Sequence, residues 1–346
     1  MIKEEIRISK NAKIKDAIQK INDQKKFFIL FVAENDKIIG TITDGDIRRG
    51  FIKGCKMDDS IDHVMNKNFI SLNEGEYEAD KIDFINKYNL SLVPLFSKRS
   101  SLVKLCDFTN TKSVLPIDAV IMAGGKGERL KPLTDNTPKP MLKIGDKPII
   151  EYNLDLLKCY GINNINISVN YLSDKITSYF KDGSKREQNI SYVMEDKPLG
   201  TIGALKNIRH FHNDYIILMN SDLLTNINLD AMFRKFIEND ADMIIANTDY
   251  QVQIPYGVIE TENNMVKALK EKPTYTYFSN AGIYIFKREL VDLIPENTFY
   301  NATNLLEKLL SNNKKVLYYT IKNYWLDIGQ HRDFKQANID VININF

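Results

Sequence analysis

Between Asp118 and Pro140 the chain reads DAVIMAGGKGERLKPLTDNTPKP, a stretch whose residue types suit a polyanion. Gly124, Gly125 and Gly127 free the backbone for close approach and let a bent loop present its N–H groups. Arg129, Lys131 and Lys139 follow as cations, and Pro132, Pro138 and Pro140 stiffen their path. Backbone amides backed by fixed cations suit phosphate oxygens. A tight strand-to-helix turn with solvated cations is the plainer reading of the glycines alone. The loop is neither a G-x-x-x-x-G-K-[ST] phosphate loop nor the G-x-G-x-x-G dinucleotide turn, which needs glycine where Leu130 stands. Further on, Asp222 follows the apolar run 215–219, and Asp327 lies in the aromatic-flanked string W-L-D-I-G. Such carboxylates can hold a hard cation such as Mg2+, although each alone also suits a helix cap or turn.

The string G-G-x-G-x-R-L-x-P-L-T followed by P-K-P resembles the signature of the sugar-1-phosphate nucleotidyltransferases. Other strings fall in that family's order: E-D-K-P-L-G-T from Glu195, N-S-D from Asn220, Y-G-V-I from Tyr256, E-K-P from Glu271, N-A-G-I-Y from Asn280, and W-L-D-I-G. The resemblance implies transfer of a nucleotidyl group from a nucleoside triphosphate to a hexose 1-phosphate, with release of pyrophosphate. It implies that Ala123, Gly124, Gly125 and Gly127, with Gly200, Thr201 and Asn220, hold the nucleotide. Arg129 would meet the pyrophosphate leaving group and Lys139 the α-phosphate, while Asp222 and Asp327 jointly bind the catalytic Mg2+. Gly257, Glu271, Lys272 and Asn280 would form the sugar-phosphate pocket. The attacking phosphate monoester has a second pKa of ~6 and is already charged at neutral pH. No general base is needed, and catalysis reduces to positioning and charge neutralisation.

Glu195 bears on the base. A carboxylate can accept from the N1–H and N2–H2 donors of guanine, whereas it would face the acceptor N1 of adenine. GTP is therefore the expected nucleotide, with a solvated loop glutamate as the alternative. The pocket string does not choose between mannose, glucose and an amino sugar. The overall layout resembles guanylyltransferases proposed for glucosamine 1-phosphate in bacterial nonulosonate (legionaminic acid) synthesis, a surface-glycan precursor route. Mannose-1-phosphate guanylyltransferase is the rival, and a nucleotide-sensing regulator with an inactive transferase fold is the reading of another class.

These residues need a frame. From residue 117 to 346, apolar runs at 119–122, 165–169, 190–194, 215–219 and 243–246 alternate with helical stripes at 148–159, 174–180, 202–208 and 229–237. That alternation predicts an α/β domain with a doubly wound, mostly parallel mixed sheet of Rossmann-like type, whose ligands gather beyond the carboxyl ends of the strands. A helix is expected to open at Gly200, E-K-P to be a turn, N-A-G to start a strand, and 333–339 to form a closing helix.

Residues 1–111 read as a smaller α/β domain built from two successive α-β-β-α units. The first runs from a stripe over 11–21 through strands at 27–33 and 38–42, joined by Glu34-Asn35-Asp36, to a helix capped by Thr43-Asp44-Gly45-Asp46. The second, weaker copy places strands at 69–72, 92–96 and 102–106 around a helix at 79–89. The string G-T-I-T-D-G-D-I-R-R from Gly40 resembles a CBS motif, which implies a tandem CBS pair of regulatory or oligomerising role. In that family the residues matching Thr43 and Asp46 often contact an adenine nucleotide; here they could equally just cap a helix. CBS pairs commonly self-associate, so a homo-oligomer is expected.

With 47 basic and 45 acidic residues the net charge is +2, so no global field draws the chain to nucleic acid or a membrane. Cys55, Cys106 and Cys159 are isolated, and His63, His210, His212 and His331 lack zinc-ligand spacing. With no leader-like or bilayer-length apolar run, a cytoplasmic protein is expected.

Overall fold

Short apolar runs broken by turn residues build the first of two units, Met1–Pro116, from two small sheets. The computed structural model describes residues 4–24, 26–35, 37–344 and 346, so Met1 to Lys3 and Asp36 of the expected turn lie outside it. The first sheet holds β1 (Arg7–Ser9), β2 (Ile29–Glu34) and β3 (Lys37–Thr43), with helices α1 (Ile14–Asn22) and α2 (Asp44–Ile52). The second holds β4 (Leu72–Asn73), β5 (Leu92–Phe96) and β6 (Leu102–Asp107), with α3 (Ala79–Lys87). In each sheet the middle strand is parallel to one neighbour and antiparallel to the other. The second copy is shorter than expected. Of the 69–72 run only Leu72 is in a strand, which ends at Asn73, and β6 leads into a turn rather than a helix.

Each sheet has its own core. Ile14, Ala17 and Ile21 of α1 pack with Leu30, Val32 and Ile42, while Ile82 and Ile85 of α3 pack with Val93 and Leu95. Phe31 and Leu92 meet in a third cluster that joins the sheets. Thr43 caps α2 in a closed box: its hydroxyl accepts from the Asp46 N–H, and the Asp46 carboxylate accepts from the Thr43 N–H at 2.9 Å. Arg49 adds an ion pair to Asp46 at 2.6 Å. Both residues are thus engaged as a cap.

The second unit, Ile117–Phe346, is organised by one seven-stranded sheet. Its elements are β7 (Ile117–Met122), the short pair β8 (Lys143–Ile144) and β9 (Lys147–Pro148), α4 (Ile149–Cys159), β10 (Asn164–Val169), α5 (Ser173–Phe180) and β11 (Asn189–Met194). Then come β12 (Tyr215–Asn220), β13 (Leu223–Thr225), α6 (Leu229–Glu238), β14 (Met243–Gln253), β15 (Val258–Glu262), β16 (Met265–Lys270) and β17 (Thr274–Lys287). The chain closes with α7 (Ala302–Ser311), β18 (Val316–Thr320), β19 (Trp325–Asp327) and α8 (His331–Asn343). The sheet order is β11-β10-β7-β12-β17-β14-β18. All neighbours are parallel except that β17 runs antiparallel to both β12 and β14. It is the mostly parallel mixed sheet expected.

β7 sits centrally and its apolar residues Ile117, Ala119, Val120 and Ile121 are buried, as a strand covered on both faces requires. Its one charge, Asp118, is 1% exposed and accepts from the His212 and Asn213 N–H groups and the Asn213 side chain. These bonds tie the turn entering β12 to the sheet centre. Three expectations need correction. The 202–208 helix is only a 3-10 turn, Gly203–Asn207, because two glycines weaken helix there and Gly200 is left-handed at φ +76°. β14 runs on to Gln253, since its aromatic and β-branched residues pair with a matching stretch of β17. Asn280 therefore lies inside β17 rather than at a strand start. Among the described residues, no helix is long and apolar enough to cross a membrane.

Candidate active site

Two remote carboxylates are placed side by side by a small ladder. β12 ends at Asn220, the chain turns through Asp222 into β13, and β13 pairs antiparallel with β19 so that Leu223 faces Asp327. The Ile328 N–H donates to the Asp222 carbonyl at 3.0 Å, locking the register. The Lys139 ammonium pairs with Asp222 Oδ2 and stands 3.8 Å from Asp327 Oδ1. The exposed Arg129 brings its guanidinium against Gly329, 3.5 Å from where a Cβ would sit.

Charge in this cluster is incompletely compensated. Asp222 Oδ1 and Asp327 Oδ1 are buried with no hydrogen-bond partner. Burial, and then the Asp222 carboxylate, push the Asp327 pKa up, against the opposing pull of Lys139 and Arg129. Orphaned hard oxygens beside a like charge fit a divalent cation. Among the described residues no third His, Cys, Asp or Glu completes a cluster, so the pair would supply part of a shell. Mg2+ is commonly held in this way, by one or two carboxylates with waters and substrate phosphates.

The glycine loop leads into the same place. The Ala123 N–H donates to the Ser168 carbonyl at 2.8 Å, fixing the loop to β10. Gly127 is left-handed at φ +64°, and a Cβ there would come within 2.9 Å of Lys139 Cβ and 3.0 Å of Thr134 Cγ2. Only glycine allows the loop to press against the Lys139 segment. Gly125 faces open space, while Gly124 packs near Glu195 and Asn170.

Glu195, expected from the sequence to face the base, makes bonds within the chain. It is 9% exposed, with one carboxylate oxygen accepting from the Ser168 hydroxyl and the other from the Leu199 N–H at 3.0 Å. Its acceptors are turned inward, bracing the loop that follows. That loop is in turn stapled to the start of α7. The Thr201 N–H donates to Asn301 Oδ1 at 3.1 Å, and the Ile202 and Gly203 N–H groups both donate to the Tyr300 carbonyl. The Thr201 hydroxyl accepts from the Ala302 N–H at 2.9 Å. Those amides are spent within the chain, so no helix N-terminus opens at Gly200. Tyr300 and Asn301 escaped sequence reasoning; the only signal was the cap pattern N-A-T-N before α7.

Glu195→Gln is accordingly expected to keep both contacts, its oxygen accepting from Leu199 and its amide donating to Ser168, with base preference unchanged. Glu195→Ala would strand both partners and lower stability by ~1–3 kcal/mol for a buried unpaired donor. Denaturant unfolding beside a nucleotide panel checks this, and a shifted base profile in Glu195→Gln would restore the base-reading role.

On the other flank, Asn280 Oδ1 accepts from the Gly282 N–H at 3.0 Å and its amide donates to the Tyr284 hydroxyl at 2.6 Å. Asn220 lies against Gly282, where a Cβ would meet its amide at 2.6 Å, so Asn220 and Asn280 converge on one bend of β17. The Trp325 indole N–H donates to the Ala281 carbonyl at 3.0 Å, tying this bend to β19 and Asp327. Gly257 and Glu271 meet each other at the outer hairpin, and Lys272 is exposed in the turn beside them. Among the described residues none of these three bonds to Arg129, Lys139, Asp222 or Asp327. Asn247, opposite Asn280 on β14, is a buried polar residue that sequence reading passed over.

The profile of the nucleotidyl transferase family matches residues 118–343, and that of the CBS domain matches residues 1–53. The UTP–glucose-1-phosphate uridylyltransferase of Synechocystis sp. is 32% identical over 239 residues, covering 63% of this chain and 62% of that protein. The mannose-1-phosphate guanylyltransferase of Mycobacterium tuberculosis is 32% identical over 234 residues, 65% of each. The crystal structure of HddC from Yersinia pseudotuberculosis complexed with GMP-PN is similar with a TM-score of 0.50 and 27% identity, over 65% of this chain and 99% of that one. The chain thus spans less than two thirds of the length of these curated relatives.

Proposed function

The chain belongs to the nucleotidyl transferase family, and on that premise we propose that it joins a nucleoside monophosphate to a hexose 1-phosphate. A phosphate oxygen of the sugar phosphate attacks the α-phosphorus of the triphosphate, the α–β bridging P–O bond breaks, and pyrophosphate leaves. The observation that carries this reading is the pair of orphaned carboxylate oxygens on Asp222 and Asp327, flanked by Lys139 and Arg129.

The chemical difficulty is repulsion between two polyanions. Lys139 takes the α-phosphate side and Arg129, more exposed at the mouth, takes the pyrophosphate. Gly125 offers an uncrowded stretch of backbone for phosphate oxygens. Asp222 and Asp327 would hold Mg2+, which when bound neutralises charge on the reacting phosphates.

GTP remains the proposed donor, now supported by the Mycobacterium guanylyltransferase and by the GMP-PN complex of HddC rather than by Glu195. Mannose 1-phosphate has the support of that guanylyltransferase. Glucosamine 1-phosphate, on a route to legionaminic acid, rests on the CBS-plus-transferase layout. For the first unit we favour self-assembly, because an adenine nucleotide at Thr43 and Asp46 would compete with the capping box and Arg49.

The deciding experiment incubates the purified chain with Mg2+, each of the four common nucleoside triphosphates, and mannose, glucose or glucosamine 1-phosphate. Pyrophosphate release is expected to be fastest with GTP. Fastest release with UTP would align the chain with the Synechocystis relative, and no release from any pair would overturn the transferase reading.

A further inference from the structure

Asn247 is 5% exposed, yet its Oδ1 has no hydrogen-bond partner. Among the described residues only two other buried side-chain atoms share that condition, the Oδ1 atoms of Asp222 and Asp327. A buried acceptor left unmatched opposes folding, and its persistence points to a partner that arrives later.

The strand pattern says where it faces. Met243 and Ile245 pack in the cluster that contains Tyr284 and Phe286, and alternation along β14 sends Asn247 to the same face. Its partner across the ladder is Asn280, just beyond the bend at Gly282, where three residues of β17 oppose the single Ala246. Both ends of the Asn280 side chain are engaged, by the Gly282 N–H and the Tyr284 hydroxyl. The Tyr284 oxygen accepts that bond and keeps its own proton to give. An unmatched acceptor and a hydroxyl proton therefore lie on one face, at the carboxyl end of the parallel strands, next to the β17 bend at Gly282 that Asn220 touches.

We propose that Asn247 is a sugar-binding residue whose Oδ1 accepts from a ring hydroxyl of the hexose 1-phosphate, with the Tyr284 hydroxyl donating to the same hydroxyl. This rests on the transferase reading and names the substrate group that the site selects. A hydroxyl both gives and takes a hydrogen bond, whereas a protonated amine only gives and a phosphate oxygen only takes. Asn247 and Tyr284 together thereby select for a hydroxyl at one ring carbon.

The test compares Asn247→Leu with the wild-type chain, using GTP, Mg2+, the best hexose 1-phosphate and its monodeoxy analogues. Leucine keeps the volume and removes the acceptor. The KM for the sugar phosphate should rise about tenfold, the worth of one good hydrogen bond, with the KM for GTP unchanged. One deoxy analogue should show a similar loss with the wild type and no further loss with the variant. The thermal midpoint of Asn247→Leu should be equal or higher, because an unmatched buried acceptor has gone. A lower midpoint with sugar discrimination retained would make Asn247 a structural residue and overturn the inference. Absence of turnover by the wild type with every sugar phosphate would instead strike the transferase reading beneath it.

Discussion

Asp222→Asn is expected to lower turnover by about a thousandfold while the protein stays folded, the scale set by removing a preorganised electrostatic contact from a reacting phosphoryl group. Asparagine keeps the shape and one oxygen but removes the charge that would hold a divalent cation with Asp327. The fold should tolerate it because two effects oppose each other. The Lys139 ion pair is weakened, but so is the repulsion by which Asp222 raises the Asp327 pKa. The raised pKa has its own consequence. The folded protein holds a proton on Asp327 more tightly than the unfolded chain does, so its contribution to stability is lost as pH rises from the ordinary aspartate range through the raised value. Cation binding should offset that loss at neutral pH. Mg2+ should therefore raise the wild-type thermal midpoint at neutral pH, less so in acid, and hardly at all in Asp222→Asn. Near-normal turnover, or an undiminished Mg2+ shift, would remove Asp222 from the metal site.

The contrast between Asp222 and Glu195 shows what a sequence can and cannot disclose. Asp222 was legible because its place is dictated locally, at the end of a buried parallel strand, where the chain must emerge at the ligand edge of the sheet. The same logic located Gly127 and picked out the apolar runs as strands. Glu195 also follows a strand, but its role depends on Ser168 and Leu199, and no spacing rule tells whether a carboxylate will turn to solvent or to its own backbone. The 202–208 stripe failed for a related reason. Its apolar spacing is helical, but the backbone donors of 201–203 found partners at Tyr300 and Asn301, about a hundred residues away, and tertiary bonds overrode local pattern. Asn247 was invisible because an unmatched acceptor is a property of surroundings rather than of residue type.

Lys139→Met should separate two effects that a merely damaged site would move together. Methionine preserves much of the stem and removes the ammonium that bridges the carboxylate pair. Turnover should fall by about a hundredfold to a thousandfold, since a fixed cation aimed at the reacting phosphate is lost. Affinity for a divalent cation should rise instead. In the wild type the ammonium occupies Asp222 Oδ2, and a cation entering the site must displace it; without it both carboxylates are free to serve as ligands. Mn2+ titration by calorimetry, with no substrate present, reads this directly and should give binding several-fold tighter than wild type. Without metal the variant should also unfold more readily, because Asp222 is largely buried and loses its counter-charge, and added Mn2+ should recover that loss. Weaker Mn2+ binding with turnover intact would mean that Lys139 organises the carboxylates rather than competing for them, and the assignment of its ammonium to the α-phosphate would fail.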